Sequence, residues 1–197
     1  MEDIDGIEVM CCRYYIWTET YEYFDDLPVV GESVRLSGDI HPSENAFIIR
    51  NKADKLCGQI CSWGYPSNGN KGLVINARAE TLHEKPMFSE DIMNRRCLVP
   101  ANGFYEWDRL KQKANVTVPD EPFIYFAGIY GIRAGMERFV IITRPSAGEM
   151  SRIHERMPLI VPKDKVGEWF SENYRDVLAS EPVHVKADVE NEQMTFL

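Results

Sequence analysis

Val99-Pro100-Ala101-Asn102-Gly103-Phe104-Tyr105-Glu106-Trp107 is the stretch from which the fold is read. Its first half joins Pro, Asn and Gly, whose backbone preferences suit a turn. Its second half, Phe104–Trp107, is a short aromatic-rich run of the kind found on a half-buried pleated surface, which predicts a strand entered through a turn. Similar runs recur on both sides: Arg13–Trp17, Ala46–Arg50 and Leu56–Trp63 before it, Phe123–Tyr130, Phe139–Thr143 and Pro158–Val161 after it. A second turn signal is PSNGNKG at 66–72. Helical content is confined to Ala77–His83, Glu90–Arg95 and Lys163–Glu172, the last two opening after Ser89 and Pro162. Many short strands with irregular helices between them, and no repeat or linker, predict an α+β fold: one domain with a curved, barrel-like, mostly antiparallel sheet flanked by short helices.

The length of 197 residues suits one full core. No apolar run approaches the ~20 residues of a membrane helix, so no membrane partner is expected. The first ten residues lack the basic start and apolar stretch of a secretory signal. Five cysteines, an odd number in a chain of this size, favour free thiols in a reducing compartment and a cytoplasmic protein. The net charge of −9 argues against indiscriminate coating of nucleic acid, which depends on phosphate neutralisation. That charge is uneven, because Glu2, Asp3, Asp5 and Glu8 precede any Lys or Arg, and a chain starting at Cys11 carries −5. Residues 131–165 hold seven Lys or Arg against four acids, and 71–113 hold eight against six, so a local basic groove is compatible with the composition.

Six segments in order are similar to the SOS-response-associated peptidase (SRAP) family, known for abasic-site crosslinking: Met10-Cys11-Cys12-Arg13-Tyr14, His41-Pro42-Ser43, Trp63-Gly64, Ile75-Asn76-Ala77-Arg78-Ala79-Glu80-Thr81, Arg96 through Trp107, and Ile153-His154-Glu155-Arg156-Met157-Pro158. One tripeptide would carry little weight; this many in sequence carry much more. The resemblance implies a single SRAP-like domain over 11–186, an acidic tail over 187–197, and a leader or misplaced start over 1–10 that is absent from the mature protein. It implies Cys11 as nucleophile, Asn76 as the active-site amide, Glu106 as acid and base, and His154 as the site histidine.

A free N-terminal cysteine suits that role, because its amine and thiol sit on adjacent carbons. The amine forms an imine with an aldehyde and the thiol closes a thiazolidine. An α-amine has a pKa near ~8, so an appreciable fraction is neutral at physiological pH. Glu106 is the candidate for proton transfer during ring opening and dehydration. His154 is placed to exchange protons or hold a sugar hydroxyl, and Asn76 to hold the Cys11 amine without adding charge. Arg13 and Arg78 are candidate phosphate clamps, each two positions from a site residue and sharing its face if the backbone is extended. Trp63 and Trp107 are candidates for stacking on unpaired bases, and Thr143 for contact with the DNA backbone. The resemblance implies single-stranded DNA containing abasic sites as the partner and, in a bacterium, association with the nucleoid; the protein is expected to be a monomer that needs no cofactor.

Plainer readings stand beside these. Cys57, Cys61 and Cys97 are read as small buried hydrophobes, without the second Cys or His pair a metal site requires, so no metal is expected. His41, His83 and His184 are read as structural. Two functional alternatives remain: a thiol autopeptidase that cleaves before Cys11, and a non-catalytic single-stranded DNA binder. The chain departs from the family pattern at Cys12, where Gly is usual, and at Tyr65-Pro66-Ser67-Asn68, where a further Trp is common.

Overall fold

The computed structural model describes residues 12–30, 36–67 and 72–189. Strands dominate, as the sequence predicts. They are β1 (Tyr14–Ile16), β2 (Val29–Val30), β3 (Gly38–Ile40), β4 (Asn45–Lys52), β5 (Lys55–Trp63), β6 (Tyr65–Pro66), β7 (Leu73–Val74) and β8 (Asn76–Arg78). The second half adds β9 (Arg96–Ala101), β10 (Gly103–Trp107), β11 (Lys113–Thr117), β12 (Ile124–Arg133), β13 (Met136–Pro145), β14 (Arg156–Pro158), β15 (Ile160–Val161) and β16 (Lys186–Val189). Three short helices flank them: α1 (Ser89–Asn94), α2 (Val166–Phe170) and α3 (Tyr174–Ala179).

Two sheets carry the fold. One has the order β16-β11-β10-β1-β3; the other runs β14-β13-β12-β9-β4-β5-β2 with β8 and β15 attached. A two-residue parallel pairing of β5 with β13 bends the larger sheet partly into a ring, but it stops short of a closed barrel. The core lies where the sheets face each other. Tyr14 and Phe104 from the smaller sheet meet Phe126 of the larger at ring separations of 5.8 and 5.7 Å, and Tyr14 meets Trp63 at 5.2 Å. All four rings are almost wholly buried. Buried aromatic pairs in tilted or edge-to-face contact add to the hydrophobic gain of their area.

Several expectations are corrected. Val99–Ala101 is not a turn but the end of β9, paired to β12 with Pro100 opposite Tyr125. The proline is tolerated because the described pairing of β4 with β9 covers only Cys97 and Leu98, so no ladder bond from the missing N–H is required on that side. The turn shrinks to Asn102, where the chain passes from one sheet to the other. Its Oδ1 accepts from the Trp17 N–H (2.7 Å) and the Thr20 hydroxyl (2.8 Å), and its Nδ2 donates to the Pro122 carbonyl (2.7 Å). Gly103 follows because a Cβ there would lie 2.4 Å from the Tyr15 hydroxyl oxygen and 2.8 Å from the Val116 carbonyl.

The helix expected at 77–83 is instead β8 followed by one 3₁₀ turn over Ala79–Thr81. Pairing of Asn76, Ala77 and Arg78 with β13 outweighs local helical preference there. Ala187, Asp188 and Val189, expected in the acidic tail, belong to β16 and pair with Val116, Asn115 and Ala114. Among the described residues no helix is long and apolar enough to cross a membrane.

Candidate functional site

Cys11 lies outside the described residues, and its neighbour Cys12 is the nearest described position. β1 pairs antiparallel with β10, Tyr14 opposite Phe104, and the Tyr105 N–H donates to the Arg13 carbonyl at 3.0 Å. Continuing that register sets Cys12 across from Glu106. The electrostatics agree: burial and then the Glu106 charge push the Cys12 thiol up from its ordinary value. Glu106 itself is 2% exposed, on the face of β10 that carries Phe104. A carboxylate so sheltered is placed for proton chemistry in a low-dielectric setting.

Strand alternation puts Arg13, Tyr105 and Trp107 on the opposite face from Glu106. Arg13 is engaged there, its guanidinium bonded to Asp39 with Nε at 3.0 Å and lying 5.1 Å over the Tyr105 ring. Lys113 covers the same ring at 4.0 Å, and its position is paired with Trp107, which is half-buried.

A second group gathers on the larger sheet. β8 runs parallel to β13, with Asn76 opposite Ile141 and Arg78 opposite Thr143; on the other side of β13, Thr143 faces Pro158 of β14. Asn76 and Arg78 line a cleft of about 440 Å³ with Lys85 and Met87, and Arg78 is exposed at its rim. Lys85 is a cation the sequence reading missed, because only the turn after β8 brings it to Arg78. His154 is half-buried just before β14. Its Nδ1 accepts the Arg156 N–H at 3.1 Å, which leaves Nε2 to carry the proton of the neutral ring and act as donor.

Two candidates occupy other environments than expected. Trp63 is 0% exposed, stacked against Phe139 at 6.2 Å, with its indole N–H donated to the Ile75 carbonyl at 2.9 Å. It is a core residue and presents no face to a base. Its hydrogen bond holds the peptide immediately before Asn76, which makes it a support for the site. Thr143 is also fully buried, with Oγ1 3.4 Å from Arg156, so no surface for DNA is offered by its side chain.

Arg156, quoted in the sequence motif without a role, organises this group. Its guanidinium grips both carboxylate oxygens of Glu80, with Nη2 at 2.9 Å from Oε2, and donates to the Thr143 carbonyl at 2.9 Å. The pairing holds the Glu80 carboxyl below its ordinary value and ties the turn after Arg78 to β13 and β14. The remaining cysteines are structural: Cys57, Cys61 and Cys97 are buried, and burial pushes the Cys61 thiol up to about 12.

The fold and site define a single open-sheet α+β domain with a sheltered carboxylate opposite the residue after a cysteine, and an amide, arginine and histidine set along neighbouring strands. The model of the SOS response associated peptidase (SRAP) family matches residues 10–196, and the chain belongs to that family. It is similar to the abasic site processing protein YoqW of Bacillus subtilis, 30% identical over 189 residues that cover 85% of this chain and 83% of the relative. YoaM of the same organism, also an abasic site processing protein, is 32% identical over 183 residues, covering 82% and 79%. Among solved structures, a Bacteroides thetaiotaomicron protein superposes with a TM-score of 0.76 at 23% identity, over 92% of this chain and 93% of its own. That likeness establishes the fold.

Proposed function

We propose that this protein processes abasic sites in single-stranded DNA by covalent capture through Cys11, once Cys11 is the first residue of the chain. The observation that carries the proposal is the sheltered carboxylate of Glu106 opposite Cys12, one peptide bond from the nucleophile. Relatives named abasic site processing proteins support it.

The chemistry follows from the groups present. The ring-opened sugar offers an aldehyde, and the neutral α-amine of Cys11 adds to it to give a carbinolamine. Glu106 donates a proton to the departing hydroxyl, water leaves and an imine forms. The Cys11 thiol then adds to the imine carbon while its proton passes to the imine nitrogen, closing a thiazolidine. Asn76 holds the amine through its amide, and Nε2–H of His154 holds a sugar oxygen. Arg78 and Lys85 attract the backbone phosphates into the cleft. Bound in this way, the lesion is shielded from strand cleavage.

The test is incubation with an oligonucleotide carrying one abasic site, followed by a denaturing gel. The wild type is expected to form a heat-stable adduct and Cys11→Ala none, while Glu106→Gln slows adduct formation ~10²-fold or more. An adduct of the same kind from Cys11→Ala would show that the nucleophile is misassigned. Intact mass of the protein expressed from its own gene reads the first residue, and a retained leader would rule out the imine route for that species.

A further inference from the structure

Beside the 3₁₀ turn that follows β8 lies a second cavity, of about 320 Å³, to which β13, α3 and that turn each contribute. Its charged lining is Arg144 of β13, Arg175 of α3 and Glu80, with His83 adjacent. Both Glu80 oxygens are bonded by Arg156, and Glu80 makes no ion pair with Arg144 or Arg175 among the described residues, although its charge reaches Arg144. Arg144 gives Nη1 to the Ser180 carbonyl at 2.6 Å, and its buried Nε has no hydrogen-bond partner among the described residues. Glu181 is the other carboxylate whose charge reaches Arg144. Arg175 is exposed and makes no ion pair among the described residues, lying 5.6 Å from the centre of the Tyr174 ring. His83 completes the wall with Nε2 3.0 Å from the Tyr174 hydroxyl, which leaves Nδ1 uncommitted to that bond.

Two arginines from different elements line one hollow whose one lining acid is already paired, a chemistry suited to a tetrahedral oxyanion. Planar arginine forks match phosphate oxygens in pairs. Ala79, the residue after Arg78, lines this cavity, as Arg78 lines the cleft that holds Asn76, so the 3₁₀ turn after β8 borders both.

We infer that the Arg144–Arg175 cavity is a phosphate-binding subsite, which receives a backbone phosphate of the captured strand beyond the Asn76–Arg78 cleft. This rests on the single-stranded DNA reading above. The same chemistry would accept free inorganic phosphate, so the experiment separates the two.

Binding of labelled, undamaged oligo(dT) is followed by fluorescence anisotropy between about 50 and 200 mM salt, using wild type, Arg175→Ala, Arg175→Lys and, as a control, Arg109→Ala on the exposed β10–β11 turn. Loss of one phosphate contact on a single strand is expected to reduce the slope of log K against log salt by about 0.7 and the affinity on the order of fivefold at low salt. Arg175→Lys should recover most of the slope, and Arg109→Ala should behave as wild type. Equal behaviour of Arg175→Ala and Arg109→Ala overturns the inference. So does a result in which inorganic phosphate raises the melting temperature of wild type but not of Arg175→Ala while DNA binding is unchanged, since the cavity would then serve a free anion. Failure of the wild type to bind any oligonucleotide would instead sink the DNA reading itself, and the outcomes are therefore distinguishable.

Discussion

Replacing Trp63 by phenylalanine separates two roles that an aromatic residue beside a DNA site can have. In the structure the indole is fully buried between Tyr14 and Phe139, and its N–H donates to the Ile75 carbonyl at 2.9 Å. That carbonyl also accepts the Ile141 N–H at 3.1 Å, so the substitution removes one hydrogen bond without orphaning the oxygen, at a cost of about 1 kcal/mol. The smaller ring leaves a void that the packed sheets close only in part, adding roughly 1–2 kcal/mol. For a domain of this size each kcal/mol lowers the melting temperature by ~2–4 °C, so a fall of roughly 4–12 °C is expected. Differential scanning calorimetry measures it. Anisotropy well below the transition should give an oligo(dT) affinity unchanged within about twofold, since no base reaches the ring. The rate of abasic-site capture should fall, because the peptide before Asn76 loses one of its two anchors. A Trp63→Phe protein that melts with wild type but binds single strands several-fold more weakly would refute the core assignment and restore Trp63 as a stacking platform.

Asn102→Ala removes three side-chain hydrogen bonds at the crossing between the sheets. At ~0.5–1.5 kcal/mol each, and with two of them near solvent, a loss of about 2 kcal/mol is expected, read as a lower urea midpoint with an unchanged m-value. Glu80 tests the electrostatics. Its folded-state pKa lies below the unfolded value, so the Arg156 pair stabilises the fold above the ordinary carboxylate range, and that contribution disappears as pH falls through the lowered value. Glu80→Gln should therefore be less stable than wild type at pH ~7 and converge with it in acid. Urea midpoints measured from neutral pH downward check this, and a constant gap between the two proteins would count against the pairing.

The local patterns that survive folding are those in which neighbouring residues decide the outcome. Aromatic and β-branched runs such as Phe123–Tyr130 and Phe139–Thr143 lie within β12 and β13 because their side chains suit a pleated, buried surface whichever partner they meet. The ordered motifs are equally legible, and they single out Glu106 and the Asn76–Arg78 segment as candidates from short-range order alone. Ala77–His83 departs from its helical expectation because its composition favours a helix while pairing with β13, some 65 positions away, holds its first two residues in a strand.

Side-chain roles depended further on the tertiary structure. A tryptophan next to a motif glycine has the same sequence signature whether it faces DNA or the core, and only the placement of Phe139, Tyr14 and the Ile75 carbonyl sends Trp63 inward. The same holds for Arg13, which strand alternation sets on the face away from Glu106 and against Asp39. Arg144 and Arg175, 31 positions apart, line one cavity only because the fold brings β13 and α3 to the same hollow. The sequence by itself thus determined the strand-rich class, the family and the chemical groups at hand, since these follow from composition and short-range order. Which face each group occupies, which charges are already paired, and which arginines share a cavity were decided by contacts between segments distant in the chain, which only the folded structure creates.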